Sequence, residues 1–206
     1  MRVFRARFCP SETEFKLGGK FVEMDAMGMI ETSSIARGYE AEDAMLKEAN
    51  VKLMVARSIC SGKFMIVVGG EVSEVMAAVE KGAETARGVL IEELVIPQIH
   101  GDVFKAIGGS IVLEEQNLGA LGILETFSVA SIVEAADAAA KTSDGQVFRV
   151  HLAMAVGGKG FLLITGDLSS VRASMDVAVG VASERGMVVS SVVIPSPRKE
   201  LFQEMV

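Results

Sequence analysis

The chain has 206 residues, which is enough for two domains of about 100 residues each. It is 50% hydrophobic, contains no tryptophan, and carries a formal net charge of −7. The acidic balance argues against a nucleic-acid partner, which requires a basic surface. The absence of an apolar run of about 18 residues argues against a membrane span.

Residues 1–25 are polar and irregular, with breakers at Pro10, Gly18 and Gly19, and they have no copy later in the chain. They are predicted to form an extension that is either disordered or docked on the body. The first ten residues lack the apolar segment of a secretory signal. The two cysteines, Cys9 and Cys60, do not form a disulfide framework and are typical of a reducing, cytoplasmic compartment. Cys9 is interpreted as incidental.

From Gly28 onward the sequence consists of two similar copies of one unit. Gly-Met-Ile-Glu-Thr (28–32) matches Gly-Ile-Leu-Glu-Thr (122–126), and Ile-Pro (96–97) matches Ile-Pro (194–195). The register between the copies shifts by two residues before the Gly-Lys turns at 62–63 and 158–159, and we place this insertion near 142–146. In that alignment Val156 occupies the position of Cys60. The agreement indicates a tandem duplication.

The order of elements is the same in both copies. The first copy predicts a strand ending at 31–32, an amphipathic helix, a strand over 51–59, a turn at 60–63, a returning strand over 64–68, a helix over 72–87, a strand over 89–96 and a short helix over 102–107. This βαββαβ order is that of ferredoxin-like domains. The predicted fold is therefore α/β (α+β), with domains at 26–108 and 120–206 joined by a linker at 109–119.

Several polar residues have a structural and a functional interpretation. Glu31 and Glu125 occupy one position of the repeat, so a shared hydrogen bond at the strand end is favoured over a catalytic pair. Lys63 and Lys159 either line a pore or are solvated surface residues, and solvation is favoured. The spacing around both lysines is not that of a phosphate loop. Two further residues, His100 and His151, occupy non-equivalent places, and a Cys60–His100 nucleophile pair stays open as a minor alternative.

The repeated motifs resemble the shell proteins of bacterial microcompartments (BMC). The resemblance is carried by 28–32, Ala-Glu-Asp-Ala-Met-Leu-Lys-Glu-Ala-Asn-Val (41–51), Gly-Gly-Glu-Val-Ser-Glu-Val (69–75) and Leu-Val-Ile-Pro (94–97), with weaker versions in the second copy. Two unpermuted copies with a cysteine in Ser-Ile-Cys-Ser-Gly-Lys-Phe (58–64) resemble the tandem-domain type of this family. The resemblance implies a non-enzymatic shell protein, located in a microcompartment shell in the cytoplasm.

The resemblance also implies an assembly and a cofactor. Three chains are expected to form a pseudohexameric homotrimer, with Cys60 from each chain converging on the axis to bind a shared iron–sulfur cluster, most simply 4Fe–4S. Such a cluster would carry electrons across the shell or deliver a cluster to enzymes inside. The expected pore-lining residues are Ser61, Gly62, Val156, Gly157 and Gly158.

Contacts with other shell proteins are expected at Lys47 and Lys141, which match the lysine that shell tiles present at their edges. The edge arginine of the family is missing, because the chain reads Pro-Gln-Ile-His at 97–100 and Pro-Ser-Pro-Arg at 195–198. Encapsulated redox enzymes are further expected partners, whereas nucleic acid and membrane are not. The structural interpretation of Cys60 is a half-buried hairpin cysteine that acts as a small hydrophobic residue. Two alternatives to a cluster-binding tile are a shell tile whose pore conducts a metabolite, with Cys60 only lining or narrowing it, and an enzyme or small-molecule sensor on the same fold.

Overall fold

Two four-stranded antiparallel sheets form the centres of the two halves of the chain. The computed structural model describes residues 14–17, 20–109, 111, 113, 118–154 and 156–203. The elements of the first domain are β3 (Ala26–Thr32), α1 (Ile35–Glu48), β4 (Lys52–Ile59), β5 (Lys63–Gly70), α2 (Val72–Thr85), β6 (Leu90–Pro97) and α3 (Gly101–Gly108). Those of the second are β7 (Ala120–Thr126), α4 (Val129–Thr142), β8 (Gln146–Leu152), β9 (Gly160–Gly166), α5 (Leu168–Glu184), β10 (Val188–Ile194) and α6 (Lys199–Gln203).

The two sheets have the same topology. The strand order is β4-β5-β3-β6 in the first domain and β8-β9-β7-β10 in the second, with every neighbouring pair antiparallel. This is the arrangement of a ferredoxin-like βαββαβ unit, in which the first and third strands are central. The predicted α+β fold, the order of elements and the tandem arrangement are confirmed.

The repeated glycine of the first motif has a packing role. A Cβ at Gly28 would lie 2.5 Å from Val79 Cγ2, and one at Gly122 would lie 2.7 Å from Met175 Cγ. Since real Cβ atoms do not approach other atoms that closely, a side chain here would push α2 or α5 away from its sheet. The glycine of this motif therefore allows the same close contact between helix and sheet in both domains.

The structure differs from the prediction for the chain before the repeat. Two short strands, β1 (Glu14–Leu17) and β2 (Lys20–Glu23), pair antiparallel within the segment predicted to be irregular. Gly18 and Gly19, interpreted as breakers, fall between these strands in the sequence. The first strand of the repeat begins at Ala26, two residues before the first match of the repeat. Cys9 lies outside the described residues.

One cluster of buried apolar side chains extends across both domains. Met29, Met65 and Leu94 of the first domain belong to the same cluster of buried side chains as Ile132, Val150 and Leu152 of the second. At the junction, β6 and α3 of the first domain lie against α4 and β8 of the second. Among the described residues, no helix is both long enough and apolar enough to span a bilayer.

Candidate functional site

The loop that carries Cys60 is a tight turn at the end of the first sheet. Ile59 pairs with Lys63, so only three residues, Cys60–Gly62, separate β4 from β5. Ser61 and Gly62 both have positive φ, 67° and 71°, and a Cβ at Gly62 would meet no atom within 4 Å. Cys60 is half-buried. We call Cys60–Gly62 the first tip loop.

The corresponding loop of the second domain is longer. Ala153 N donates to Lys159 O at 3.1 Å, so these two residues face each other as Ile59 and Lys63 do. Five residues, 154–158, lie between them, and we call them the second tip loop. Gly157 and Gly158 have φ values of 68° and 85°, and a Cβ on either would meet no atom within 4 Å.

The pairing of the strands shows where the second copy has its two extra residues, and this place differs from the predicted one. Glu31 faces Met65, which faces Arg57; in the second domain Glu125 faces Phe161, which faces His151. Arg57 and His151 are therefore equivalent, and β8 keeps the register of the first motif throughout. The two extra residues lie in the second tip loop, so their predicted position near 142–146 is wrong. Two apolar strands can be aligned by sequence in more than one register, because their side chains are alike. Backbone pairing fixes the register.

The corrected register changes the counterpart of Cys60. Counted from β8, the position of Cys60 is held by Met154, whose side chain is 49% exposed; Val156 matches only when counted back from Lys159. The second tip loop thus begins with a thioether where the first begins with a thiol.

Arg57 links the two strands that lead to the tip loops of one chain. Its Nη2 donates to Leu152 O at 2.9 Å, which links the strand that leads to Cys60 with the strand that leads to the second tip loop. Burial lowers the pKa of the Arg57 guanidinium, and its Nε is buried without a hydrogen-bond partner among the described residues. Sequence reasoning missed this residue. The signal was a charged side chain within an otherwise mostly apolar strand.

The repeated glutamates and lysines form one ion pair in each domain. Lys63 Nζ lies 2.7 Å from Glu31 Oε1, and Lys159 Nζ lies 2.8 Å from Glu125 Oε1. The shared structural role predicted for the glutamates is confirmed. The favoured interpretation of the lysines as simply solvated is wrong, because each ties the base of its tip loop to the neighbouring central strand.

The two histidines lie in different surroundings. Gly70, at the end of β5 away from the tip, faces Ala26, which faces Pro97, and His100 follows. β5 has eight residues, a length of about 25 Å. Cys60 and His100 are therefore at opposite ends of the sheet, and the nucleophile pair left open by the sequence does not form within one chain. His151, by contrast, stacks on Phe161 near the second tip loop, with ring centroids 4.8 Å apart.

The lysines predicted at tile edges lie at the end of each sheet opposite the tip loops. Lys47 bonds Asp43 at 2.6 Å, and Lys141 bonds Asp137 at the same distance, one helical turn away in each case. Asp137 also accepts a hydrogen bond from the His100 amide of the first domain at 2.8 Å. Lys47 is thus exposed to solvent, whereas Lys141 lies beside the domain junction.

A second arginine, also missed from the sequence, crosses the domain junction. Arg185 at the end of α5 bonds Glu92 of β6 at 3.1 Å and Glu134 of α4 at 2.8 Å. Ser128, the residue that caps α4, donates to Glu92 at 2.9 Å. These bonds hold the second domain against the edge strand of the first.

One chain offers no complete metal site in its described part. No three His, Cys, Asp or Glu side chains there lie close enough together to hold an ion.

Comparison with known proteins identifies the fold. The BMC domain model matches twice, at residues 26–99 and 120–197. The shell protein PduT of Citrobacter freundii is 43% identical over 181 residues, covering 88% of this chain and 97% of that protein. The single-domain shell protein PduA of the same organism is 41% identical over 88 residues, 42% of this chain and 95% of that protein.

A solved structure agrees with the sequence relatives. A microcompartment protein from Desulfitobacterium hafniense DCB has a TM-score of 0.83 and 43% identity, and the match covers 87% of this chain and 99% of that one. The named relatives are shell proteins and not enzymes, as the sequence predicts for this chain. The chain belongs to the BMC-domain family, as a structural shell protein of a bacterial microcompartment with two BMC domains in tandem.

Proposed function

We propose that three copies of this chain close into a pseudohexameric tile, and that the three Cys60 thiolates at its axis hold one iron–sulfur cluster. The tile would pass electrons across the shell or deliver a cluster to redox enzymes inside. The observation that carries the proposal is the hydrogen bond between the two strands that lead to the tip loops, together with a thiol in the first tip loop only.

The closed trimer is supported by the junction between the domains. Within one chain, β6 and α3 of the first domain meet α4 and β8 of the second. The equivalent faces are formed by α1 and β4 of the first domain and by β10 and α6 of the second. β4 touches the second domain near its tip end through Arg57, whereas Tyr39 on α1 and Val192 on β10 are exposed in the single chain. Repeating the same junction between chains joins these faces head to tail, and a heterologous contact of this kind forms a ring when its rotation closes.

Positions that are buried at the junction within the chain are exposed at the equivalent places on the two outer faces. Val133 on α4 is fully buried, whereas its equivalent on α1, Tyr39, is 61% exposed. Leu94 on β6 is 8% exposed, whereas its equivalent on β10, Val192, is 47% exposed. Large apolar side chains exposed on these two faces are typical of a surface that another subunit covers.

The donor set at the tip loops suits a cluster shared by three chains. Thiolates are the usual protein ligands of iron–sulfur clusters. Each first tip loop supplies one thiol, and the described residues of the second tip loop supply none. Ser61 has a small side chain and Gly62 has none, which would let three loops approach one axis. A bound cluster would supply one-electron transfer, and three thiolates would leave one iron open to a small ligand or a partner.

Pore lining and tile contacts follow from the same assembly. Ser61, Gly62, Val156, Gly157 and Gly158 would surround the axis, since both tip loops end their sheets on the same side. Lys47 and Lys141, at the far end of the sheets, would face neighbouring shell proteins. The competing function is a tile whose open pore conducts a metabolite, with Cys60 only narrowing it.

Anaerobic purification separates the two functions. We expect a brown trimer with about four irons and four sulfides per three chains. Cys60→Ser should keep the trimer and lose iron and colour, because no other described tip residue replaces the thiol. Cys9→Ser is the matched control and should keep both. A wild-type protein that stays colourless after reconstitution with iron and sulfide would leave the metabolite pore as the function.

A further inference from the structure

Arg57 occupies an unusual position for a charged side chain. It lies three residues before Cys60 on β4, with its guanidinium partly buried where the two domains meet. Its bond to Leu152 O joins residues 95 positions apart in the sequence. Withdrawing part of a charge from water costs free energy, and here the guanidinium makes a cross-domain hydrogen bond through Nη2 while its Nε is buried.

We infer that Arg57 is a positioning residue for Cys60. Through Leu152 O it fixes the first tip loop against the second and so sets where the thiol stands at the axis. The inference rests on the proposed function, because it gives Arg57 a role in building the shared thiolate site.

The strands on both sides of the bond transmit this constraint. Arg57 and Cys60 are joined by two residues, of which Ile59 is buried in the core common to both domains. On the other side, Leu152 is also buried, and it is two residues from Met154, the first residue of the second tip loop. Neither strand end can move without disturbing close-packed side chains. The hydrogen bond therefore couples the two loops through the ends of their strands.

Only one of the two kinds of junction in the proposed trimer has this link. The residue equivalent to Arg57 in the second domain is His151, and its Nε2 lies 2.7 Å from Met154 O in its own loop. Since a carbonyl only accepts, Nε2 carries the proton. His151 thus stabilises the second tip loop from within, whereas Arg57 reaches across to the other domain. Each Cys60 is held relative to the second loop of its own chain.

Reactivity of the Cys60 thiol tests the inference without any cluster. In the full-length chain carrying Cys9→Ser, the rate of alkylation by iodoacetamide is measured on the iron-free protein. Arg57→Met should raise that rate about tenfold, the effect of losing one hydrogen bond to a charged donor. Arg57→Lys, which keeps the charge and one donor, should restore most of the protection.

Arg185→Met is the matched control, because Arg185 also crosses the domain junction but contacts no tip-loop residue. It should lower the melting temperature about as much as Arg57→Met and leave the alkylation rate unchanged. An unchanged rate in Arg57→Met, or an equal rise in Arg185→Met, would overturn the positioning role. If Arg57→Met does not fold, Arg57→Gln, which removes the charge but keeps a polar side chain, replaces it, and an alkylation rate equal to that of the Cys9→Ser parent would overturn the inference.

Cross-linking distinguishes a failure of this inference from a failure of the trimer site. A short bifunctional maleimide should join Cys60 residues of different chains in the Cys9→Ser protein, and less efficiently after Arg57→Met. Absence of any such product in the Cys9→Ser protein would contradict the shared axis itself, while the alkylation rates would still decide the role of Arg57.

Discussion

Among individual residues, the glutamate–lysine ion pair occurs in both domains, but its glutamate is buried in the first domain and partly exposed in the second. The two ion pairs have the same geometry, but the Glu31 side chain is 6% exposed and the Glu125 side chain 34% exposed. Removing the partner of a buried charge leaves it without compensation, whereas a partly exposed charge recovers its hydration. Equivalent substitutions in the two domains should therefore differ in cost.

Lys63→Met should lower the free energy of unfolding by about 2 kcal/mol, because it leaves the buried Glu31 carboxylate without its ion-pair partner. Lys159→Met should cost less than about 1 kcal/mol, since water reaches Glu125. Urea denaturation of the two variants at neutral pH measures the difference. Equal losses would mean that burial does not determine the strength of these pairs.

Among the elements, helices α1 and α4 are copies of one helix in two settings. Both begin at a serine whose hydroxyl accepts from a backbone N–H three residues on: Ser34 from Arg37 N and Ser128 from Ser131 N. Helix α4 lies against α3 and β6 of the first domain, and its cap also donates to Glu92 across the junction. The cap serine of the second copy therefore has an additional function, which is to form a hydrogen bond across the domain junction.

Ser34→Ala should cost about 1 kcal/mol, the usual effect of losing an N-terminal cap. Ser128→Ala should cost about 1 kcal/mol more than that, since it also removes a hydrogen bond to a charged acceptor. Thermal unfolding of both variants compares them directly. A Ser128→Ala variant no less stable than Ser34→Ala would show that the bond to Glu92 contributes nothing.

At the scale of the whole molecule, the single chain contains one junction of the proposed ring and both halves of another. Tyr39 and Val192 lie on the two faces that are left uncovered, whereas their equivalents Val133 and Leu94 are buried in the intrachain junction. Assembly would bury the exposed copies in the same way.

Val192→Glu should therefore convert the trimer to a monomer without unfolding the chain, because it places a charge on the β10 face that the next chain must cover. Met76→Glu is the matched control, since Met76 is also exposed and apolar but lies on α2, outside both junction faces. Light scattering after gel filtration gives the mass of each variant. A trimer that survives Val192→Glu would rule out this face as the interface.

The sequence alone determined the duplication, the order of elements and the position of Cys60 on a hairpin turn. These features follow from local rules: periodicity, turn residues, and a motif with the glycine that lets helix and sheet approach. The apolar strands were recognised as strands, but their pairing was not fixed by their own residues. A two-residue shift along them leaves the pattern of apolar side chains equally well satisfied.

Only the tertiary structure decided where the two extra residues lie, that Met154 and not Val156 follows β8 at the position of Cys60, and that Arg57 spans the two domains. The lysines interpreted as solvated became ion pairs for the same reason. Each of these depends on contacts between segments far apart in the chain, and backbone pairing and burial select those contacts only when the whole fold is assembled.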